Sequence, residues 1–270
     1  MIELSRTTAP NAKRAVGAGT LALIPVGATE QHGPNLGMGA DYRIAAELAQ
    51  RTASAIGEAA VVTPVVPFGL SEHHMFAPGT ITLSPSVLDG ILTDIVTSLK
   101  RHGVRHFLFI NGHQGNMNAL GVLANRLRFE QDVFVAVAFW MAQARDVIER
   151  HRQTKRWGHA CEIETSVAMA LAPDLVATGE LEAGDLIEEY GAYADNYEPH
   201  ALVVPRSFAS RTRNGAFGDA RLATKEAGEE IVRCAVDRTA EFARDFLALF
   251  LRTRCGIFVY LWDLATAVQP

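Results

Sequence analysis

Four short apolar runs, each followed by a stretch with helical spacing, limit the folds open to this chain. The runs are Leu21–Val26, Ala60–Val66, Phe107–Ile110 and Val133–Phe139. Apolar runs of this length next to turn residues are typical of buried strands. Strands that alternate with helices at such intervals pair in parallel, with right-handed crossovers and helices on both faces. The sequence therefore predicts an α/β fold, a three-layer α/β/α sandwich with a mostly parallel central sheet.

Apolar residues at helical spacing predict the helices that connect and close this sheet. Asp41 stands at the start of the first of them, where it could also cap the helix. The predicted helices are Asp41–Ile56, Ser86–His102, Met117–Phe129, a stretch ending near Gln153, and Leu222–Phe250.

Length and composition favour one large domain. The chain has 270 residues and 49% hydrophobic content, enough to bury a sizeable core. We assign residues 1–250 to a single domain and residues 251–270 to a C-terminal extension of unknown role. The apolar run 256–261 in that extension is far shorter than the ~20 residues that cross a bilayer.

The charge, the first residues and the cysteine content argue against nucleic-acid binding, a membrane partner and a disulfide framework. The net charge of -5 and pI near 6.0 argue against a nucleic-acid surface, which needs clustered Lys and Arg. The first residues lack a continuous apolar segment, so we expect a cytoplasmic protein with no membrane partner. Cys161, Cys234 and Cys255 are too scattered for a disulfide framework and read as free thiols.

Polar loops follow three of the predicted strands. Glu30, His32 and Asp41 come after the first, the segment 71–74 after the second, and His113 after the third. Loops at the carboxyl ends of parallel strands lie at one edge of the sheet, so these side chains can converge. Carboxylates and imidazoles together form a ligand set for a divalent metal. Glu-x-His also occurs by chance on solvated loops, and His113 could simply cap the next helix.

A fourth polar cluster, WGHACEIETS, lies at residues 157–166. His159 precedes a predicted helix and is placed to act as general acid or base, and a nearby carboxylate would raise its pKa. The alternative for Glu162 and Glu164 is a solvated first helical turn, which the helix dipole favours.

Four segments in this order resemble the creatininase family of metal-dependent amidohydrolases. They are PVGATEQHGPNLGMGAD, APGTITL, FINGHQGN and HACEIETSVAMALAPDLV, and the resemblance extends from Leu21 to about Leu247. It implies a homo-oligomeric α/β/α protein, often hexameric. It also implies two divalent cations, zinc, manganese or iron, which activate water to cleave a C–N bond of an amide or cyclic amide.

The resemblance also implies roles for single residues. Glu30 and His113 would hold one metal, His32 the other, and Asp41 would bridge the two. Creatininase has a second-metal Glu where this chain has Gly115, and members without that Glu carry one at the position of Glu162, so the resemblance makes Glu162 the replacement ligand. The remaining roles are general acid for His159, an orienting carboxylate for Glu164, and substrate binding for Ser71, His74 and Gln114.

The predicted function is therefore hydrolysis of a small-molecule amide, cyclic amide or N-formyl amine. Creatinine itself is not expected, because the substrate-facing Tyr of creatininase is Gln114 here and its Trp-Asp pair is absent. Two alternatives stay open: a catalytically silent relative that binds a ligand or a protein partner, and a member that processes a peptide.

The segment 178–216 is the least regular part of the chain. It is acidic at first and then aromatic, with little periodicity. We expect a loop-rich excursion that shapes the pocket or contacts a neighbouring subunit. The alternative is an irregular surface segment.

Overall fold

A computed structural model describes residues 1–177, 179, 181–187 and 205–254. Its centre is a five-stranded sheet in the order β1-β3-β2-β4-β5, and every neighbouring pair is parallel. The strands are β1 (Ile2–Glu3), β2 (Leu21–Val26), β3 (Ala60–Val62), β4 (His106–Asn111) and β5 (Phe134–Phe139).

Helices connect the strands and close the fold. Two elements were not predicted, the short edge strand β1 and the helix α1, because neither has a clear apolar period. The helices are α1 (Ala9–Ala15), α2 (Ala40–Ile56), α3 (Pro85–Arg101), α4 (Met117–Glu130), α5 (Trp140–Gln143), α6 (Arg145–His151), α7 (Glu162–Leu171) and α8 (Lys225–Arg254).

The sheet separates two hydrophobic cores. Leu23 and Leu108 point to one face and pack with α2, α5, α7 and α8. Ile24 and Phe109, one residue further along each strand, point to the other face and pack with α3 and α4. Successive side chains of a strand alternate between faces, and here both faces are buried, which explains the continuous apolar runs. The predicted three-layer α/β/α sandwich is confirmed.

The pairing of β2 with β4 fixes where the polar loops emerge. The two strands pair over their full length, from Leu21 opposite His106 to Val26 opposite Asn111. Their carboxyl ends are therefore level, and the loops that follow them start side by side. The predicted second strand is shorter than expected. It ends at Val62, and only Val66 pairs again, with Val26.

The closing helix is longer than predicted. α8 continues past residue 250 to Arg254, and residues 255–270 of the predicted extension lie outside the described part. Across the described residues, no helix is both long and apolar enough to cross a membrane.

Candidate metal centre

Asp41 lies at the centre of the polar loops. It is in the first turn of α2 and is buried. The first turn of α2 can lie on the end of β4 because residue 112 is glycine. A Cβ there would come within 2.2 Å of the Asp41 carbonyl oxygen, which is closer than side-chain carbons approach backbone. The glycine of the NGH segment thus places this carboxylate against the sheet edge.

Two imidazoles face the Asp41 carboxylate, and backbone carbonyls orient both rings. His32 Nδ1 donates to the Glu30 carbonyl at 3.1 Å, and its Nε2 lies 3.2 Å from Asp41 Oδ1. His113 Nε2 donates to the Leu70 carbonyl at 3.1 Å, and its Nδ1 lies 3.1 Å from Asp41 Oδ2. A carbonyl can only accept, so each ring turns its other nitrogen to the carboxylate.

This arrangement fits a cation. In a neutral imidazole the nitrogen that faces Asp41 carries a lone pair, so two acceptors would stand about 3 Å apart unless a proton or a metal ion lies between them. Asp41 Oδ2 is buried and accepts no hydrogen bond while the His113 ring is neutral, although buried acceptors are nearly always satisfied. A divalent ion would satisfy Asp41 and both rings.

Glu30 lies beside this group and is held from several sides. Ser71 Oγ donates to its Oε2 at 2.6 Å. His74 Nε2 is 3.3 Å from Oε1, and His113 Nε2 is 3.3 Å from Oε2. Three loops of the sheet edge therefore meet at one carboxylate.

The beginning of α7 supplies the last two groups. Glu164 is in the first helical turn, and its Oε2 accepts from the backbone nitrogen of Ala160 at 2.5 Å. Ala160 has a φ of 50°, a left-handed conformation uncommon for a residue with a side chain. His159 Nδ1 lies 3.9 Å from Glu30 Oε1 and 4.0 Å from Glu164 Oε2. The strained turn thus brings both side chains to the cluster.

Within the described residues, the atoms that could ligate a metal form four overlapping groups. Two of the groups contain Asp41. The other two contain Glu30 together with His159 in one case and with His73 and His74 in the other. The groups are Glu30/Asp41/His113, His32/Asp41/Glu164, Glu30/His32/His159 and Glu30/His73/His74. All of these residues are buried except His73, which is half-buried.

Burial and neighbouring charges shift the pKa of each of these groups. Burial lowers the pKa of His32 and His113, but the nearby carboxylates outweigh it and raise the pKa to about 10 and about 9. Burial raises the pKa of Glu30 and Glu164 to about 7. Asp41 differs: burial acts to raise its pKa, but the charges and hydrogen bonds of His32 and His113 together outweigh burial and lower it. Without a metal, this site holds protons at neutral pH.

The other three histidines are kept neutral. Burial is the main cause in each case: it lowers the pKa of His73 to about 4, and it lowers the pKa of His74 and of His159 well below the ordinary value. The neighbouring imidazoles add to the effect, since the His159 ring centre is 4.4 Å from that of His74 and 4.5 Å from that of His32. The charge of Asp41 acts to raise the pKa of His159, but burial and the neighbouring imidazoles outweigh it, so the pKa falls where the sequence predicted a rise.

A cavity of about 650 Å³ opens over the cluster. Glu30, Asp41, Glu164 and several of the histidines form its floor, and residues 205–208 and 211 form one wall. The described part of the irregular segment therefore shapes the pocket, as predicted; residues 188–204 lie outside the described residues.

The comparison with known proteins identifies the family. Residues 5–243 of this chain match the creatininase family, whose description is creatinine amidohydrolase. The chain belongs to the creatininase family. The mycofactocin precursor peptide peptidase of Mycolicibacterium smegmatis is 34% identical over 230 residues, 82% of this chain and 83% of that protein. The creatinine amidohydrolase of Pseudomonas putida is 30% identical over 248 residues, 85% of this chain and 91% of that protein.

Solved structures of creatininase share the fold. A crystal structure of creatinine amidohydrolase superposes with a TM-score of 0.74 and 28% identity, over 91% of this chain and 98% of that one. A structure described as creatininase Mn gives a TM-score of 0.73 and 27% identity, over 90% of this chain and 98% of that one. The cluster around Asp41 thus lies in a creatininase fold, and at least one structure with this fold is named for a metal.

The structure changes the predicted place of Glu162 in this creatininase-family site. Its Oε1 accepts from the backbone of Gln153 and Thr154 and from the Thr154 hydroxyl, at 3.2, 2.9 and 2.6 Å. Its Oε2 accepts from the backbone of Asp219 at 3.1 Å. Glu162 joins none of the four ligand groups, and Glu164 stands beside Asp41 instead.

The residues assigned to substrate binding lie in different places. His74 lines the cavity floor, and Gln114 lies on its exposed rim. Ser71 is fully buried behind Glu30, donates to it, and is not part of the cavity wall. Ser71 therefore orients Glu30 and has no exposed surface for a substrate.

Sequence reasoning missed the amide side chains that join the loops. Asn116 accepts from the Leu70 nitrogen at 2.9 Å and donates to the Gly27 carbonyl at 3.1 Å and to Asn111 Oδ1 at 3.2 Å. It thereby connects the loops after β2, β3 and β4. Gln31 Nε2 donates to His74 Nδ1 at 2.8 Å and to the Gly215 carbonyl at 3.2 Å. The sequence did hold a signal for these two residues, because Gln31 lies between Glu30 and His32, and Asn116 ends the NGHQGN segment.

Proposed function

We propose that this chain is a two-metal hydrolase that cleaves the C–N bond of an amide. The observation that carries the proposal is Asp41, whose two oxygens each face one imidazole and which belongs to two ligand groups. In this proposal Glu30, Asp41 and His113 hold one divalent cation, and His32, Asp41 and Glu164 hold the other. The expected ions are zinc, manganese or iron.

The negative charge of three buried carboxylates supports the binding of two divalent cations. Glu30, Asp41 and Glu164 are all at least nine-tenths buried within one cluster. Ionised carboxylates are very costly to bury without a positive partner. Divalent cations, when bound, would neutralise these carboxylates, activate water as the nucleophile and polarise the amide carbonyl.

The departing nitrogen needs a proton, because an amide nitrogen is too basic to leave as an anion. His159 is the proposed donor. Its Nε2 lies 2.7 Å from the Gln31 carbonyl and donates to it, which leaves Nδ1 facing the cluster. His159 is neutral at rest, so Nδ1 can take a proton from the attacking water and pass it to the nitrogen.

Two substrate classes are supported. The similarity to a creatinine amidohydrolase favours a small amide or cyclic amide. The similarity to a mycofactocin precursor peptide peptidase, together with a cavity of about 650 Å³, favours an amide at the end of a peptide. A cavity of this size falls within the range that takes drug-sized molecules.

The test combines metal content with turnover. Protein purified without chelator should contain close to two equivalents of divalent metal per chain. The manganese and zinc forms are then assayed against lactams, N-formyl amines, cyclic ureides and short blocked peptides. Metal-loaded protein that hydrolyses none of them, or protein that takes up no metal, would leave the silent, ligand-binding relative as the function.

A further inference from the structure

The buried amide of Gln31 has its orientation fixed by two backbone groups. Its Oε1 accepts from the Gly33 nitrogen at 2.8 Å, and its Nε2 donates to the Gly215 carbonyl at 3.2 Å. A backbone N–H can only donate and a carbonyl can only accept, so the amide cannot be turned over. Residue 215 has to be glycine for this fit, because a Cβ there would overlap Gln31 Oε1. The end of Gln31 that faces the histidines is therefore the nitrogen.

The second proton of this amide nitrogen determines the tautomer of His74. Gln31 Nε2 lies 2.8 Å from His74 Nδ1. Because an amide nitrogen only donates, Nδ1 is unprotonated and the ring proton is on Nε2. That Nε2 lies 3.3 Å from Glu30 Oε1, and Ser71 donates to the other oxygen of Glu30. Each Glu30 oxygen thus faces a donor, an arrangement that orients carboxylates for metal binding.

The main chain of Gln31 determines the tautomer of His159. His159 Nε2 lies 2.7 Å from the Gln31 carbonyl oxygen and 3.0 Å from its amide nitrogen. The carbonyl can only accept, so Nε2 carries the proton and Nδ1 does not. The His74 and His159 rings stack with their centres 4.4 Å apart. They nevertheless turn opposite groups towards Glu30, an N–H on His74 and a lone pair on His159 Nδ1, 3.9 Å from Oε1.

We propose that Gln31 is a positioning residue that fixes the tautomers of both rings, so that His74 turns an N–H to Glu30 and only His159 offers a free nitrogen to the cluster. The Gln31 side chain acts on His74, and its carbonyl acts on His159. In the proposed hydrolysis, His159 is then the ring that takes up a proton, and His74 holds Glu30 in place. That consequence rests on the proposed function, whereas the tautomers themselves do not. Gln31 takes no part in proton transfer.

Nitrogen NMR of the wild-type protein, labelled with ¹⁵N in its histidine side chains, measures both tautomers directly. The protein is loaded with zinc, and the signals are assigned by their loss in His74→Gln and His159→Gln. Each ring should show a protonated Nε2 and an unprotonated Nδ1 that binds no zinc. A proton or a zinc ion on Nδ1 of either ring would overturn the inference.

Gln31→Glu replaces the donor with an acceptor of the same length. The proton of His74 should move to Nδ1, so that an unprotonated Nε2 faces Glu30. His159 is an internal control, because the main-chain carbonyl of residue 31 is kept, and its tautomer should not change. We expect zinc affinity, measured by competition with a fluorescent chelator, to fall by about 10 to 100-fold, the usual effect of losing a group that orients a ligand.

Asn35→Asp is the matched control, the same amide-to-acid change at a buried position of the same loop. Asn35 Nδ2 donates to the carbonyls of Ala160 and Glu182 at 2.9 and 3.1 Å. Asn35→Asp should leave both tautomers unchanged and cost less zinc affinity than Gln31→Glu. A His74 Nδ1 that stays unprotonated in Gln31→Glu, or equal zinc affinity in the two variants, would refute the positioning role.

The wild-type spectrum decides the inference by itself if Gln31→Glu does not fold. The same spectrum of the metal-free protein separates the two proposals. A protein that takes up no zinc would refute the two-metal hydrolase, and the predicted tautomers in its spectrum would still support the role of Gln31.

Discussion

Asp41 touches both halves of the ligand cluster, and its loss should therefore remove both metals. We expect Asp41→Ala to contain less than about a tenth of the wild-type metal, since each cation loses a ligand and the charge between them. Metal per chain is measured by plasma emission after purification without chelator. The control is Asp174→Ala, an exposed carboxylate paired with Arg43, which should keep both equivalents. Loss of a single equivalent in Asp41→Ala would rule out the shared ligand.

Glu162 and Glu164 should respond differently to the same substitution. Glu164→Gln removes a charge next to His32 and Asp41, and we expect affinity for one metal to fall by more than about 100-fold, beyond the usual effect of residues that only orient a ligand. Glu162→Gln should keep affinity within about tenfold. It should lower stability by about 1.5–3 kcal/mol, because it weakens hydrogen bonds to a charged acceptor. Competition with a fluorescent chelator and thermal unfolding measure the two effects, and the opposite ranking would reassign the ligand to Glu162.

His159→Ala should separate proton transfer from metal binding. We expect the variant to keep both metals and to lose about 100 to 10,000-fold in turnover, the usual contribution of general acid-base catalysis. The loss should be smaller for anilides, whose nitrogen leaves more readily. A variant that loses metal would make His159 a ligand. A loss of the same factor for every leaving group would make it a binding residue and point to His74 as the acid.

Two helix glycines give opposite expectations for the same change. A glycine in a helix usually costs about 0.5–1 kcal/mol relative to alanine. Gly121 in α4 has open space around it, so Gly121→Ala should stabilise the protein by about that amount. Gly228 in α8 lies against α7, and a Cβ there would come within 1.9 Å of the Ser166 carbonyl oxygen. Gly228→Ala should therefore destabilise, by separating α7 from α8.

Thermal or urea unfolding of the metal-free proteins measures both changes. The Gly121 variant serves as the control for helix propensity alone. A stabilised Gly228→Ala would mean that α7 and α8 have room between them, and the described packing would then need revision.

The sequence indicates where elements lie better than it indicates which way a side chain points. β2 begins and ends as predicted, and Glu30, His32, Asp41 and His113 lie together because parallel strands deliver their loops to one edge. The ends of the other elements shifted by a few residues, since pairing and packing set them.

The direction of Glu162 and Glu164 could not be predicted from the pattern. Both fall in the first turn of α7, two positions apart, so they project from nearly opposite sides of the helix. Which side faces the cluster around Asp41 depends on how α7 is placed by α8 and by the left-handed Ala160.

At the scale of the whole molecule, metal binding and pH should be linked. The folded, metal-free protein raises the pKa of Glu30 and Glu164 to about 7, and of His32 and His113 to about 10 and 9. The folded state therefore holds more protons at these four sites than the unfolded state between about pH 4.5 and 10. Their contribution to the stability of the metal-free protein should fall as pH rises through that window.

A metal displaces those protons, so its apparent affinity should rise with pH. We expect the increase in melting temperature on adding excess Mn²⁺ to be larger at pH 8 than at pH 6. Melting curves with Mn²⁺ or with EDTA at both values measure it. Glu164→Gln is the control and should show a smaller difference between the two pH values. An increase that is the same at pH 6 and pH 8 would mean that binding releases no protons from this site.

The position of α8 has a consequence for synthesis of the protein. α8 covers α2 and α7, and its Ile231, Val232 and Phe246 belong to the same core as Leu48 and Ala49. A ribosome adds about 5–20 residues per second, so the part of the α2 surface that α8 covers stays exposed for roughly 10 to 40 s on the nascent chain. All the proposed metal ligands are synthesised before α8, the helix that completes this layer of the fold. The growing polypeptide therefore presents this face to chaperones, or to other nascent chains, until its last described helix emerges.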